Sequence, residues 1–268
     1  MKKLFVADID GTLMDEKKEI LKQDIQAIND AVDNGVGFCL ASGRMEEEIN
    51  IVKDQLGISC FSVCQNGATV VDMTGQIIRS NVFKVQLAQS VLKAAWEHQD
   101  LVTIICNAKG NFVHTINPKV EQVGQRFLTP LRVEPQIKKL ISCGEFQVTK
   151  FSIYGSVPAL EKMLRTLDHQ LNDHITSFFS DPDGIDVMPG GVDKGAGIEA
   201  IMDLEKIESK DVACIGDSFN DIAMFQVSGQ SFAMSQAKVD VKKEAKFIVN
   251  NVSSALSRFL TSSISDDL

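Results

Sequence analysis

The chain has 268 residues, 44% of them hydrophobic and 24% charged, the proportions of a globular protein with a sizeable core, at the edge between one large domain and two. Its 36 acidic against 27 basic residues give a formal net charge of -9, which, with no dense basic run, argues against a nucleic-acid or anionic-membrane partner. No segment approaches the ~18 consecutive apolar residues of a membrane span.

Met1-Lys2-Lys3 precedes an apolar run, but the acid at Asp8 arrives too early for a signal sequence. The six cysteines fall mostly in apolar, strand-like runs and read as free thiols of a reducing, cytoplasmic setting. Cys60 and Cys64 lack a second pair or nearby histidines, so no zinc site is expected there.

Leu4–Ala7 is an apolar run of the kind that forms a buried parallel strand, and it leads directly into Asp8-Ile9-Asp10-Gly11-Thr12. Ile20, Leu21, Ile25, Ile28 and Val32 then recur at helical spacing up to Asn34-Gly35, which closes the helix. A strand at 36–41 ends in Ser42-Gly43-Arg44, a helix follows at 46–55, and a third strand at 60–64 ends in Gln65-Asn66-Gly67. This is the alternation of a parallel βαβ sheet. From Ala68 the pattern changes to a hairpin around Met73-Thr74-Gly75, a helix at 87–97, strands at 101–106 and 112–116, and a Pro-punctuated stretch from Asn117 to Pro135. A strand at 146–154, a helix at 158–171 and two short strands at 175–180 and 184–188 complete this middle part. The parallel pattern resumes with a helix at 194–202, strands at 212–215, 231–234 and 247–249, and helices at 220–225, 239–245 and 252–260. The predicted fold is α/β, a parallel-sheet core formed by 1–82 and 189–268 with an α+β domain inserted at 83–188.

In an open parallel sheet, ligands sit beyond the carboxyl ends of the strands. Three sequence stretches are such ends: Asp8-x-Asp10, Ser42-Gly43, and Gly216-Asp217-Ser218-Phe219-Asn220-Asp221. If the chain stays extended through Ile9, Asp8 and Asp10 leave on the same side. Clustered carboxylates repel unless a cation intervenes, and hard oxygen ligands suit Mg2+ better than zinc. Gly191-Val192-Asp193-Lys194-Gly195 adds a lysine at a helix start, which is disfavoured there without an anionic partner. Taken singly, each stretch is accounted for by caps and turns: Ser42 as a turn residue, Asp217 and Asp221 as acids of a first helical turn. Four such stretches in one chain point instead to phosphoryl transfer.

The residues Asp8-x-Asp10-Gly11-Thr12, Ser42-Gly43, Lys194 and Gly216-Asp217-x-x-Asn220-Asp221 resemble the four motifs of the haloacid dehalogenase superfamily. The insertion between the second and third motifs, with Asn66-Gly67 and Asp193-Lys194-Gly195, is similar to the Cof-type sugar-phosphate phosphatases with a type IIB cap. The resemblance runs from Met1 to about Leu260 and implies a Rossmann-like core. It implies that Asp8 is a nucleophile forming an aspartyl-phosphate and that Asp10 is the acid and base for the leaving alcohol and the water. It further implies Mg2+ held by Asp8, Asp217 and the backbone carbonyl of Asp10, with Asp221 behind them. Ile9, Thr12, Ser42, Gly43, Lys194 and Asn220 would bind the phosphate of a small phosphorylated metabolite.

The acid at position 10 fits a phosphatase, whereas a dehalogenase of the superfamily lacks it. The segment Gly229–Ala237 and the stretch Asn250–Ala255 depart from the family pattern, which bears on loop shape and substrate fit. A phosphomutase and a phosphosugar-binding regulatory protein are the rival readings. His98, His114, His169 and His174 are scattered without ligand spacing, and Trp96 reads as packing. Asp181 and Asp183 read as a turn around Pro182, and 107–111 with 181–186 as borders of the active-site mouth. The oligomeric state is not legible.

Overall fold

The computed structural model describes residues 3–262. Its first stretch forms β1 (Leu4–Ala7), α1 (Lys22–Asp33), β2 (Gly37–Ala41), α2 (Glu46–Leu56), β3 (Phe61–Cys64), β4 (Thr69–Val71) and β5 (Ile77–Ser80). The middle stretch forms α3 (Val85–Trp96), β6 (Val102–Asn107), β7 (Gly110–Val113), α4 (Pro118–Gly124), β8 (Arg132–Val133), α5 (Ile137–Ser142), β9 (Lys150–Tyr154), α6 (Val157–Leu171), β10 (Ile175–Asp181) and β11 (Gly184–Pro189). The last forms α7 (Lys194–Glu205), β12 (Val212–Gly216), α8 (Ile222–Val227), β13 (Gln230–Met234), α9 (Val239–Glu244), β14 (Phe247–Val249) and α10 (Val252–Ser262). Two compact units result, one made of the chain up to Arg44, Ile49–Arg79 and the chain from Asp193 on, the other of Met45–Glu48 and Ser80–Val192. Among the described residues no helix is long and apolar enough to cross a membrane.

The first unit is built on an eight-stranded sheet in the order β14-β13-β12-β1-β2-β3-β4-β5. Pairings from β14 through β3 are parallel, and β4 is the first antiparallel neighbour. Helices cover both faces, which is why the central strands need no polar alternation. Phe5 and Ala7 enter one core with Ile28, Phe38, Leu40 and Phe259, while Leu4 and Val6 enter the other with Val63, Ile198, Cys214 and Met224. Phe5 stacks on Phe38 with ring centroids 6.0 Å apart. Ala7 lies level with Leu40 of β2 and Ile215 of β12, so β1, β2 and β12 end together and their exit loops open on one edge.

The second unit is a six-stranded sheet, β10-β11-β9-β6-β7-β8, antiparallel except for β7 with β8. Residues of α3, α5 and α6 pack on Ile105, Phe151, Ile153, Ile185 and Val187, with Trp96 against the same core. The opposite parity of the strands carries Val102, Ile104 and Tyr154, which pack with Val120 and Val123 of α4. Burial pushes the Tyr154 hydroxyl far above its usual range.

Part of the stretch from Asn117 to Pro135, legible in the sequence only as Pro-punctuated, is the helix α4. Pro118 is its first residue, where a missing N–H costs nothing, and Asn117 caps it by accepting from the Val120 N–H at 3.0 Å. The predicted strand at 146–154 is shorter, only Lys150–Tyr154, and the six-residue α5 precedes it. Asp186, which the sequence reading sets at the border of the mouth, is buried. It accepts from Lys150 Nζ at 3.1 Å and Ser152 Oγ at 2.6 Å. Asp181 and Asp183 flank Arg126, whose guanidinium lies 3.8 Å from the first and donates to both oxygens of the second at 2.6 and 2.7 Å.

Candidate active site

The site lies within the first unit, where the exits of β1, β2 and β12 meet the start of α7. Asp8 continues β1 by donating its N–H to the Ile215 carbonyl at 3.0 Å, and its side chain is almost fully buried. Ile9 points the other way into the core, while its carbonyl accepts from the N–H groups of Thr12, Leu13 and Met14. Gly11 has φ +80° and lies against the Asp217 carboxylate, where a Cβ would come within 2.6 Å of Oδ2. Thr12 Oγ1 donates to Asp217 Oδ1 at 3.4 Å.

Lys194 opens α7 immediately after the N-cap Asp193, whose Oδ1 accepts from the Ala196 N–H at 2.8 Å. Its side chain is 0% exposed, and Nζ donates to Asp8 Oδ1 at 2.6 Å and to Asp221 Oδ1 at 2.7 Å. The other Asp221 oxygen accepts from the N–H groups of Asp217 and Ser218 at 2.8 and 2.9 Å. Asp221 therefore does what either reading of it requires: it caps the turn after β12 and holds the lysine. Burial opposes a charged Lys194, but Asp221 and Asp8 outweigh it and hold the ammonium above its ordinary range. Burial pushes the Asp8 carboxyl well above its usual range; Lys194 pulls it back only in part, and Asp221, Asp217 and Asp10 add to the rise. Burial, then Asp221, pushes Asp217 up to about 6 against the pull of Lys194 and Thr12.

One oxygen from each of Asp8, Asp217 and Asp221 falls within 4.8 Å of the others. Both Asp221 oxygens are already engaged, which leaves Asp8 Oδ2 and the Asp217 carboxylate as the hard donors of the cluster for a cation. Three carboxylates against one ammonium leave an excess of negative charge that a small divalent cation would relieve, so the donor set fits Mg2+. Asp10 is not among the converging carboxylates. Its side chain is 53% exposed and takes a two-pronged bond from Arg44, Nε to Oδ2 and Nη2 to Oδ1, each at 2.7 Å. Arg44 is the residue that sequence reasoning missed, although it directly follows Ser42-Gly43.

Ser42 is buried at the end of β2 and ties two loops together. Its Oγ accepts from the Arg44 N–H at 3.2 Å and its carbonyl from the Asn66 N–H at 2.9 Å. A hydroxyl used only as an acceptor keeps its proton for an anion. Asn220 donates through Nδ2 to Asn66 Oδ1 at 3.1 Å. Gln236, in the segment that departs from the family pattern, donates to the Gly11 carbonyl at 2.6 Å. Burial pushes the Cys214 thiol of β12 up to about 12, which makes it inert beside this site.

The family model of the haloacid dehalogenase-like hydrolases matches residues 5–260. The chain belongs to that family. A putative phosphatase of Buchnera aphidicola (subsp. Schizaphis graminum) is 26% identical over 263 residues, covering 97% of this chain and 95% of the relative. The pyridoxal phosphate phosphatase YbhA of Escherichia coli is 23% identical, covering 97% and 98%. The crystal structure of TM0651 from Thermotoga maritima superposes with a TM-score of 0.84 at 23% identity, covering 96% of this chain and 97% of that one. With its inserted α+β unit, the chain is a Cof-type phosphatase of the family.

Truncating Lys194 leaves two buried carboxylates facing each other without a counter-charge. Lys194→Ala is expected to lower unfolding free energy in metal-free buffer by about 3–5 kcal/mol, the cost of breaking a buried pair, as measured by urea denaturation. Wild-type stability in that variant would mean the lysine is not structural.

Proposed function

We propose that this enzyme hydrolyses small phosphate monoesters, a sugar phosphate or a cofactor phosphate, through a phosphorylated Asp8. The observation that carries the reading is the buried Asp8 carboxylate, with one oxygen held by Lys194 and the group clustered with Asp217 and Asp221. A carboxylate so held is oriented for attack and has shed its water. Asp8 forms a bond to phosphorus as the bond from phosphorus to the ester oxygen breaks, and Asp10 gives the leaving alcohol its proton. Asp10 then takes a proton from the water that displaces phosphate from Asp8. Lys194, the Ser42 hydroxyl and the Gly43 N–H meet the phosphoryl oxygens. The Asp8 and Asp217 carboxylates and the Asp10 carbonyl would hold Mg2+, which when bound offsets charge on those oxygens. The Escherichia coli relative is named for a cofactor phosphate, which supports a substrate of that size. All six cysteines are free, in keeping with a cytoplasmic enzyme.

Arg44 engages both Asp10 oxygens, so Asp10 can deliver a proton only when Arg44 releases at least one of them. The released guanidinium is suited to the anionic ester, since its planar fork matches phosphate as well as carboxylate. Arg44 is thus a counter-ion that Asp10 and the substrate share in turn.

A panel of phosphorylated metabolites assayed for released phosphate is expected to give turnover that needs Mg2+. Asp8→Asn abolishes that turnover and Asp10→Asn lowers it at least a hundredfold, with both proteins folded; isomerised product without free phosphate would make the enzyme a mutase. Arg44→Ala is expected to raise KM about tenfold to a hundredfold, the worth of a charge-assisted bond, whereas a rise in kcat at unchanged KM would make Arg44 a mere restraint on Asp10. Mg2+ is expected to raise Tm in the wild type. In Asp217→Asn that shift is lost and the metal-free protein is at least as stable, because a crowded carboxylate has gone; a retained shift would put the metal elsewhere.

A further inference from the structure

Three residues in succession after β3 adopt left-handed backbone: Gln65 (φ 50°), Asn66 (φ 55°) and Gly67 (φ 97°). Such a run persists only where the surroundings impose it, and runs of this kind gather at functional sites. Here the surroundings are the catalytic loops. Gln65 N–H donates to the Arg44 carbonyl and Asn66 N–H to the Ser42 carbonyl, each at 2.9 Å. Gly67 lies so close to Asp193 that a Cβ would fall on its carbonyl oxygen. The run thus ties the residues flanking Ser42-Gly43 to the residue before Lys194, and it buries Asn66 completely, at 0% exposure.

The side chain aimed by this strained turn reaches a distant part of the chain. Asn66 Oδ1 accepts from Asn220 Nδ2, 154 residues further along the chain. That bond selects one orientation of the Asn220 amide, because the flipped amide would set two carbonyl oxygens against each other. It also spends the donor end of Asn220. The acceptor end, Oδ1, is buried and has no hydrogen-bond partner. Most buried polar atoms in proteins have a partner, so an orphaned carbonyl next to Asp221, which holds the lysine on Asp8, calls for a donor that the protein does not supply.

We propose that Asn66 is a positioning residue for Asn220, turning its amide so that the carbonyl, not the NH2 group, serves the phosphoryl-transfer site as an acceptor for an O–H donor. The inference rests on the hydrolytic reading above and refines it: Asn220 takes a hydrogen bond from a water or hydroxyl at the site instead of giving one to the phosphate. The strained turn is retained because it sets this orientation.

Asn66→Gly separates the amide from the backbone, since glycine adopts positive φ freely and only the side chain is lost. With p-nitrophenyl phosphate and Mg2+, both Asn66→Gly and Asn220→Ala are expected to lower kcat about tenfold, with KM and inhibition by inorganic phosphate within about twofold of wild type. The double variant is expected to fall no more than about twofold below Asn220→Ala, because the two residues act as one. Wild-type kcat in Asn66→Gly, a tenfold loss of phosphate affinity in Asn220→Ala, or losses that multiply in the double variant would overturn the proposal. Should Asn66→Gly fail to fold, the Asn220 side-chain NH2 protons of the wild type still decide: slow exchange with solvent is expected, and free exchange refutes the bond to Asn66. A wild type that hydrolyses no phosphate ester would sink the hydrolytic reading, while the exchange measurement would still test the pairing.

Discussion

The first unit is arranged about one enclosed ammonium. Lys194 has no exposed surface and bonds two carboxylates, Asp8 from the end of β1 and Asp221 from the turn after β12. A buried ion pair is tolerated only when both partners are held in good geometry and their remaining valences are met, because desolvation costs several kcal/mol per ion. Asp221 meets that condition through two backbone N–H groups. Asp8 does not, for only Oδ1 is bonded to the lysine. The asymmetry makes Asp221 an anchor and leaves Asp8 with a second oxygen for chemistry.

This arrangement follows from the sheet. Parallel strands in register end level, so residues at 8, 42 and 217 meet although they lie far apart in the chain. The apolar strands bury both faces of the sheet, each face entering a different core. The loops then lock onto each other: Gly11 makes room for Asp217, Gln236 holds the Gly11 carbonyl, and the backbone of 65–66 holds that of 42–44. These contacts couple the loops to one another, and a misplacement of about 1 Å at a reacting atom can cost about a hundredfold in rate.

Much of this was legible in the sequence, and the exceptions have physical reasons. The strands of the first unit and the helices α1, α2, α7 and α10 carry long apolar periodicities, and each lies within a few residues of its predicted span. α4 and α5 were missed because they lie in and directly after a Pro-punctuated stretch, and Pro118 reads as a breaker until it is seen as a first helical residue. Asp8, Lys194, Asp217 and Asp221 were singled out by type and by position at strand and helix ends. Arg44 was not, since a basic residue after a turn is ordinary, and only coordinates reveal that it spans 34 residues to reach Asp10. Asn66 was visible as a motif residue but not as a partner of Asn220, because that contact depends on three left-handed residues in a row.

Asp8 and Asp10 stand two residues apart in the chain, yet their surroundings are opposite. Asp8 is enclosed, bonded to an equally enclosed lysine, and crowded by two more carboxylates. Asp10 is half-exposed and takes a bond from Arg44 at each oxygen. In the mechanism proposed above, Asp8 attacks and gains from being stripped of water and fixed in direction, whereas Asp10 gives and takes a proton and gains from access to solvent. Identical side chains acquire different duties when their environments differ in this way. The turn that begins at Ile9, whose carbonyl accepts from the N–H groups of Thr12, Leu13 and Met14, lies between the two acids and separates the enclosed carboxylate from the half-exposed one.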